Sequence, residues 1–186
     1  LKKNYEIINI DKISYSSVPR KFLYFNKKNY FFYKANINNR SALKRIFKKH
    51  KNINCIINLA SNTHVDRSID NPVNFMRENI NDQIYFVGNL LHFKKKIKFI
   101  HFSTDEVFGD SFKKKSFNES SNYEPNSPYS ASKSSVDQIL HSFKKTFNFN
   151  SIILHPCNNF GPFQFTEKYI PLIISNLIKK KNIPIY

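Results

Sequence analysis

The sequence is poor in the residues that build cross-linked or metal-bound domains. It has two cysteines and no tryptophan in 186 residues. Two cysteines about a hundred positions apart exclude a disulfide-rich scaffold and a multi-cysteine zinc site. Because Cys55 and Cys157 each lie in or beside an apolar run, we expect both to be buried free thiols in a reducing compartment.

Long apolar runs are also missing. No stretch approaches the roughly 18 uninterrupted apolar residues that a membrane-spanning helix needs, and the sequence opens with no segment typical of a signal peptide. With 40% apolar and 16% aromatic residues, the chain can still form a core. We therefore expect a cytoplasmic globular protein without a membrane partner.

Acidic residues are few, 13 against 30 Lys and Arg, and the net charge is +17. Such a charge is compatible with a nucleic-acid partner or an anionic ligand. However, nearly all of the excess is lysine, whereas nucleic-acid readers favour arginine for bidentate contacts. Lys, Asn, Ile, Phe and Tyr are all abundant and all have A/T-rich codons, so base composition explains the charge. We expect no nucleic-acid partner; binding that falls steeply with salt would support the alternative.

Short apolar runs alternate with segments of helical period. The runs suit strands buried on both faces and cover residues 6–10, 55–60, 99–102 and 151–154. The helical segments cover residues 41–49, with Ser41 as a possible N-cap, 73–93, 131–147 and 169–180. This alternation predicts an α/β fold, a Rossmann-like doubly wound parallel sheet with helices on both faces.

Two segments have the character of a dinucleotide site. Asp11 follows the first predicted strand, where an acidic residue can bind the adenosine ribose about 20 residues after a glycine-rich loop. The sequence has only three glycines and no such loop, which we expect to precede Leu1. Small residues after residues 55–60 would let a cofactor approach the backbone. An Asx turn at Asp11 and an ordinary connection after the strand remain alternatives.

Tyr129 and Lys133 form the sharpest chemical pair. Four residues apart on a helix, their side chains project from the same face. A neighbouring ammonium favours the phenolate form, so we expect Lys133 to lower the pKa of Tyr129. In a chain rich in Lys and Tyr such a spacing also arises by chance. Pro128 and the apolar stripe that follows place the pair on a helix.

Adjacent carboxylates follow the third of the short apolar runs, residues 99–102. Asp105 and Glu106 come after Ser103-Thr104, at a strand end that faces the ligand crevice in parallel α/β sheets. An acid and a base arise there if burial separates their pKa values. A bare Asp-Glu pair is more commonly a solvated turn, but the strand before it and Gly109 after it favour a site.

Five motifs occur together in a consistent order. They are residues 64–68 (HVDRS), 103–109 (STDEVFG), 128–133 (PYSASK), 158–162 (NNFGP) and 167–171 (EKYIP). As a set they resemble the extended short-chain dehydrogenase/reductase family, and within it the nucleotide-sugar 4,6-dehydratases, from Asp11 to Tyr186. The Thr-Asp-Glu triplet distinguishes these from the 4-epimerases of the same family.

The resemblance implies NAD-dependent dehydration of dTDP-glucose to its 4-keto-6-deoxy product, in a rhamnose-type deoxysugar pathway, by a homodimer. The catalytic residues implied are Thr104, Asp105, Glu106, Tyr129 and Lys133. The cofactor residues implied are Asp11, Lys12, Ile13, Ser14, Asn36, Ile37, Leu59, Ala60, Ser61, Asn62, Thr63, Tyr129, Lys133 and Asn159. The substrate residues implied are Thr63, Thr104, Asn158, Lys168, Tyr169, Pro184, Ile185 and Tyr186. No metal is implied.

The same resemblance predicts one NAD-binding domain over residues 1–186, incomplete at its N-terminus, in which a substrate-binding region begins at about residue 160. Three departures from the family pattern affect this expectation. Asn36 stands where Asp is usual, Asn62-Thr63 replace Glu-Ser, and Phe108 replaces Tyr. We expect these 186 residues alone to be inactive. A UDP-glucose 4,6-dehydratase, a related epimerase or an inactive remnant are the alternatives.

Overall fold

The computed structural model describes residues 5–17, 28–93, 97–111 and 116–183. Its strands are β1 (Ile7–Asp11), β2 (Tyr30–Lys34), β3 (Cys55–Asn58), β4 (Lys98–Phe102) and β5 (Ser151–Leu154). Its helices are α1 (Arg40–Lys49), α2 (Val65–Asp70), α3 (Pro72–His92), α4 (Pro128–Phe147) and α5 (Tyr169–Ile178). A short 3₁₀ helix covers Asp105–Phe108. In the part of the chain so described, no helix is long and apolar enough to cross a membrane.

The chain divides into two compact units. The first comprises the described parts of residues 1–35 and 158–186, with β1 parallel to β2 and helix α5. The second, residues 36–157, holds a three-stranded parallel sheet in the order β3-β4-β5, with helices α1 to α4. Parallel strands joined through helices confirm the Rossmann-like α/β prediction.

Helices α3 and α4 cover one face of the β3-β4-β5 sheet. Phe99 points to that face, is 1% exposed, and packs against Phe86 of α3 with ring centroids 5.9 Å apart. On the opposite face, Ile57 is 59% exposed and Ile152 43%. Among the described residues, the prediction that these strands are buried on both faces is therefore wrong for these side chains of the sheet.

Both cysteines are exposed, which corrects the prediction of buried thiols. Cys55 alternates in phase with Ile57, so its side chain belongs to the uncovered face of the sheet. Cys157 lies in the segment that follows β5. An apolar neighbourhood in the sequence was a poor guide to burial because side chains alternate between the two faces of a strand.

The first turns of two helices differ from the predictions. Helix α1 is capped by Asn39, whose side chain accepts a hydrogen bond from the Ala42 backbone N–H at 3.0 Å, and Ser41 lies inside the helix. Helix α4 begins at Pro128, as that proline indicated, and three residues before the predicted segment 131–147; Ser127 and Ser130 form a reciprocal capping box there. Tyr129 thereby lies in the first turn of α4.

Candidate active site

The Thr104-Asp105-Glu106 triplet forms the turn that leaves β4. The Thr104 hydroxyl caps the 3₁₀ helix by accepting from the Glu106 backbone N–H at 3.4 Å. Buried Val107 and Phe108 anchor its far side. The turn ends at Gly109, where φ is +81° and a Cβ would lie 2.5 Å from the Glu124 carbonyl oxygen, so a side chain is excluded.

Tyr129 faces this turn from the start of α4. Its side chain is 8% exposed, and its backbone N–H donates to the Ser68 hydroxyl at 3.2 Å. The ring meets that of Phe75 edge-on, with centroids 6.3 Å apart. The Thr104 side chain lies within hydrogen-bonding reach of the phenol. The structure thus brings Tyr129 together with the triplet.

The electrostatics of Tyr129 run against the expectation from sequence. Burial raises the pKa of Tyr129 to about 12, with further increases from the charges of Glu106 and Asp105, while the Thr104 hydrogen bond acts in the opposite direction. The predicted lowering by Lys133 is therefore wrong for this state of the chain. Without a further positive charge, the phenol keeps its proton at neutral pH.

Lys133 lies below Tyr129 on the same face of α4 and is 5% exposed. Its ammonium Nζ donates to the carbonyl oxygen of Phe102, at 2.6 Å. Burial lowers the pKa of Lys133 to about 8, and the charge of Asp137 acts to raise it. Lys133 is consequently poised to change charge just above neutral pH.

The segment Leu59–Thr63 is fastened to α3 and through it to α4. Gln83 donates to the Ala60 carbonyl oxygen at 2.5 Å. Asn79 accepts from the Asn62 backbone N–H at 2.8 Å, and its amide donates to the Asn62 carbonyl and to the Ser132 hydroxyl, each at 3.0 Å. The predicted cofactor segment is thereby connected to the residue beside Lys133.

Asn36 and Ile37, two further predicted cofactor residues, begin the second unit. The Asn36 amide donates to Asp82 at 3.0 Å. Ile37 is 8% exposed and belongs to the core. An aspartate at position 36 would bring a second carboxylate to Asp82, so the departure from the family pattern is matched by a local partner.

The first unit holds the other predicted cofactor residues. Asp11 ends β1, and its Oδ1 accepts from the Ile13 backbone N–H at 2.6 Å. Ile13 is left-handed, with φ of 58°. Ser14 donates its backbone N–H to the Ser17 hydroxyl at 3.1 Å, and Lys12 is exposed. Asp11 therefore caps a turn with one oxygen, and its second oxygen can accept from a ligand hydroxyl.

The predicted substrate residues also belong largely to the first unit. Asn158 is exposed, and the Asn159 carbonyl accepts from Gln164 at 3.0 Å. Lys168 precedes α5, whose first residue, Tyr169, is 51% exposed. The predictions for Pro184, Ile185 and Tyr186 lie outside the described residues.

Sequence reasoning missed a polar network under Lys133. Asp137, fully buried on α4, accepts from the Ser103 hydroxyl at 2.6 Å and lies 3.2 Å from Nε2 of His155. Its other oxygen lies 3.7 Å from Nε2 of His101, which is 1% exposed. The available signal was an acid four residues after Lys133, between the apolar positions Val136 and Leu140. Among the described residues, no group of three or more His, Cys, Asp or Glu side chains could hold a metal ion.

Comparison with known proteins places these features in a family context. The model of the family described as GDP-mannose 4,6 dehydratase matches residues 1–186. The chain is 36% identical over 196 residues to a probable dTDP-glucose 4,6-dehydratase of Sinorhizobium fredii, covering 98% of this chain and 55% of the relative. It is 37% identical over 192 residues to dTDP-glucose 4,6-dehydratase of Haemophilus influenzae, covering 97% and 56%.

Solved structures agree. Bacillus anthracis dTDP-glucose 4,6-dehydratase in complex with NAD has a TM-score of 0.86 and 33% identity, over 98% of this chain and 56% of that one. The Streptomyces venezuelae enzyme with NAD and TYD bound has a TM-score of 0.88 and 31% identity, over 97% and 55%. The chain thus spans about half the length of the relatives it matches.

Proposed function

The chain belongs to the GDP-mannose 4,6-dehydratase family, and from this premise we propose that it is the nucleotide-binding part of an NAD-dependent dTDP-glucose 4,6-dehydratase. The reaction would convert dTDP-glucose to dTDP-4-keto-6-deoxyglucose in a deoxysugar pathway of the rhamnose type. The relatives that carry this name are 36% and 37% identical to the chain, and two similar structures contain NAD.

The juxtaposition of Thr104, Asp105 and Glu106 with Tyr129 is the observation that carries the proposal. Elimination of water needs one carboxylate as a base and a second carboxyl group as an acid. Oxidation at a sugar hydroxyl needs a separate group to take the hydroxyl proton. The turn after β4 and the first turn of α4 bring these groups together, and a simple redox site has no use for both acids.

We assign one task to each side chain. Tyr129 would accept the proton of the sugar 4-hydroxyl, which Thr104 would hold by a hydrogen bond. Glu106 would then remove the C5 proton, acidified by the new 4-keto group, and Asp105 would protonate the departing 6-hydroxyl, which leaves as water. Glu106 would finally return its proton to C5 as hydride reaches C6, which completes the 4-keto-6-deoxy product. The chemistry that NAD supplies when bound is reversible hydride transfer, from C4 and back to C6, and a positive charge that favours the Tyr129 phenolate.

The residues present fit NAD by their chemistry. Within the first unit, Asp11 retains a carboxylate oxygen for a ribose hydroxyl. Within the second unit, the backbone of residues 59–63 is fixed by Gln83 and Asn79, and Lys133 offers an ammonium for the nicotinamide ribose. We propose the remaining cofactor contacts from the family resemblance at Lys12, Ile13, Ser14, Asn36, Ile37 and Asn159.

Substrate contacts are proposed on the same ground. A lysine is a suitable mobile charge beside a diphosphate. The residues proposed are Thr63, Asn158, Lys168, Tyr169, Pro184, Ile185 and Tyr186. We further propose that residues from about 160 onward begin a substrate-binding region, and that the full-length protein is a cytoplasmic homodimer. Both rest on the resemblance.

A direct assay tests the proposed function. Full-length protein is incubated with dTDP-glucose and, separately, UDP-glucose, and the 4-keto product is followed by its absorbance at alkaline pH. We expect product from dTDP-glucose. Glu106→Gln should keep cofactor binding but lose elimination, whereas Glu119→Gln, which removes an exposed carboxylate, should match the parent. Elimination by Glu106→Gln at the parent rate would overturn the base assignment, and preference for UDP-glucose would overturn the substrate assignment.

A further inference from the structure

Asp137 is a buried carboxylate for which the proposed reaction has no step. It lies four residues after Lys133 on the same face of α4 and is 0% exposed. An ionised carboxylate removed from water is costly unless it is hydrogen-bonded and paired with a positive charge. The role of Asp137 therefore depends on which positively charged group its carboxylate stabilises.

Hydrogen bonds hold the Asp137 carboxylate from β4 and from the segment after β5. Ser103 donates to Oδ2 at 2.6 Å, and Nε2 of His155 lies 3.2 Å from the same oxygen. The Tyr123 hydroxyl, 3.0 Å from that histidine nitrogen, completes this side of the carboxylate. Ser103 and His155, on two segments, therefore fix the orientation of Asp137, and Tyr123 contacts the histidine.

His101 faces the other oxygen, Oδ1, without being its counter-charge. Its Nδ1 lies 2.9 Å from the amide nitrogen of Asn58, which also donates to Gln83 at 2.7 Å. Because that amide group is a donor, Nδ1 is the acceptor and the ring proton is assigned to Nε2, 3.7 Å from Asp137. Burial, followed by the charge of Lys133, lowers the pKa of His101 to about 3, so the ring is neutral at physiological pH.

Lys133 is the buried lysine of this cluster: it is 5% exposed and lies one helical turn before Asp137 on the same face of α4. The Lys133 ammonium is held by the uncharged Phe102 carbonyl at 2.6 Å, and that contact does not offset the cost of burying its charge. Burial lowers the pKa of Lys133 to about 8, and Asp137 is the group whose charge raises it. The titratable groups that face the pair are His101 from β4, His155 from the segment after β5, and Tyr123.

We propose that Asp137 is a positioning residue for Lys133. The buried carboxylate of Asp137, oriented by Ser103 and His155, keeps the Lys133 ammonium charged beneath Tyr129. The inference rests on the proposed function for its catalytic consequence, because a neutral Lys133 could not favour the Tyr129 phenolate. Its electrostatic content, the dependence of the charge of Lys133 on Asp137, is independent of the proposed reaction and rests on the burial of both side chains on one face of α4 and on the hydrogen bond that holds the carboxylate.

The experiment measures the ionisation of Lys133 directly. Full-length protein labelled with ¹³C at lysine Cε is titrated by NMR, with the Lys133 signal assigned by loss in Lys133→Met. In Asp137→Asn, which preserves the shape of the side chain and one acceptor oxygen but removes its charge, we expect the Lys133 midpoint to fall by about one pH unit or more. Asp70→Asn, which removes an exposed carboxylate, should leave it unchanged. In turnover, the alkaline limb of the pH profile should move in the same direction.

A second variant covers the case in which Asp137→Asn does not fold. Ser103→Ala keeps the carboxylate but removes its 2.6 Å hydrogen bond, so the Lys133 midpoint should move the same way by less. An unchanged midpoint in both variants, or in whichever one folds, overturns the inference, whatever the turnover. A lowered midpoint in a protein that shows no dehydratase activity refutes the proposed function and leaves the electrostatic link intact.

Discussion

Helix α4 contributes one residue to each of two clusters of polar side chains, which contrast in exposure and in the task that we propose for them. We define the upper cluster as Tyr129, Thr104, Asp105 and Glu106, and the lower cluster as Asp137, His101, His155 and Tyr123. Both contain a phenol with a raised pKa beside a carboxylate. In the upper cluster the two acids are half-buried, whereas in the lower one the acid is fully buried and fixed by donors. We therefore propose that the upper cluster exchanges protons with a ligand and that the lower cluster holds charge.

The two phenols give the sharpest test of this contrast, and the largest effect. Tyr129→Phe and Tyr123→Phe remove equivalent hydroxyl groups from the two clusters. We expect turnover of dTDP-glucose by the full-length protein to fall about 10²- to 10⁴-fold in Tyr129→Phe, because proton transfer at the sugar is lost. Tyr123→Phe should retain turnover within about tenfold. Equal losses in the two variants would mean that both clusters act on substrate.

The lower cluster should also make the free energy of unfolding depend on pH. The pKa of His101 is lowered to about 3 by burial, below its ordinary value near 6.5, so the unfolded chain binds more protons than the folded chain between these values. The free energy of unfolding should therefore fall as pH is reduced from about 6.5 towards 3. His101→Asn should flatten this dependence in urea titrations at several pH values. A slope unchanged by the substitution would show that His101 is not buried as a neutral ring.

Adjacent residues at the end of β4 offer a smaller, paired test. Ser103 belongs to the network of the lower cluster and Thr104 to the upper cluster. Ser103→Ala deprives a buried carboxylate of a donor, so we expect a loss of about 1–3 kcal/mol in the free energy of unfolding. Compared with Ser103→Ala, Thr104→Ala should lower the free energy of unfolding less and lower turnover of dTDP-glucose more. The opposite ranking, measured by denaturant unfolding and steady-state assays, would contradict the division of tasks.

The smallest expected effect concerns the N-cap of α1, which belongs to neither cluster. Asn39→Ala should destabilise the protein by about 1 kcal/mol because Asn39 caps α1. Ser41→Ala, at the position that sequence alone indicated, should have almost no effect. Turnover should be unchanged in both variants. Equal destabilisation by the two would place the cap at Ser41 after all.

The sequence predicted the fold well where pattern is strong. The helical period of residues 73–93 and the apolar run at 151–154 predicted α3 and β5 closely. Long amphipathic segments and short Ile-rich runs are compatible with few other secondary structures. Helix boundaries depend on side-chain caps, so the start of α4 shifted once Ser127 and Ser130 were seen to pair. Burial of Cys55 depends on which face of the sheet is covered, and a single sequence does not contain that information.

The candidate site was predicted in part for the same reason. Motif spacing indicated the triplet, Tyr129 and Lys133, because these residues are close in sequence to a strand end or a helix turn. The lower cluster and Asn58, which contacts His101, come from separate segments of the chain. No local sequence pattern predicts that such distant residues meet. The direction of the Tyr129 pKa also required the structure, since burial and the charges of two carboxylates raise this pKa and outweigh the Thr104 hydrogen bond.

The central claim is that the upper cluster performs dehydration with internal return of hydride. The most direct measurement uses dTDP-glucose deuterated at C4 with the full-length protein, and locates the deuterium in the product by NMR. Our account predicts a 4-keto-6-deoxy product with deuterium at C6. A product in which deuterium remains at C4, or in which C6 still carries its hydroxyl, would contradict it.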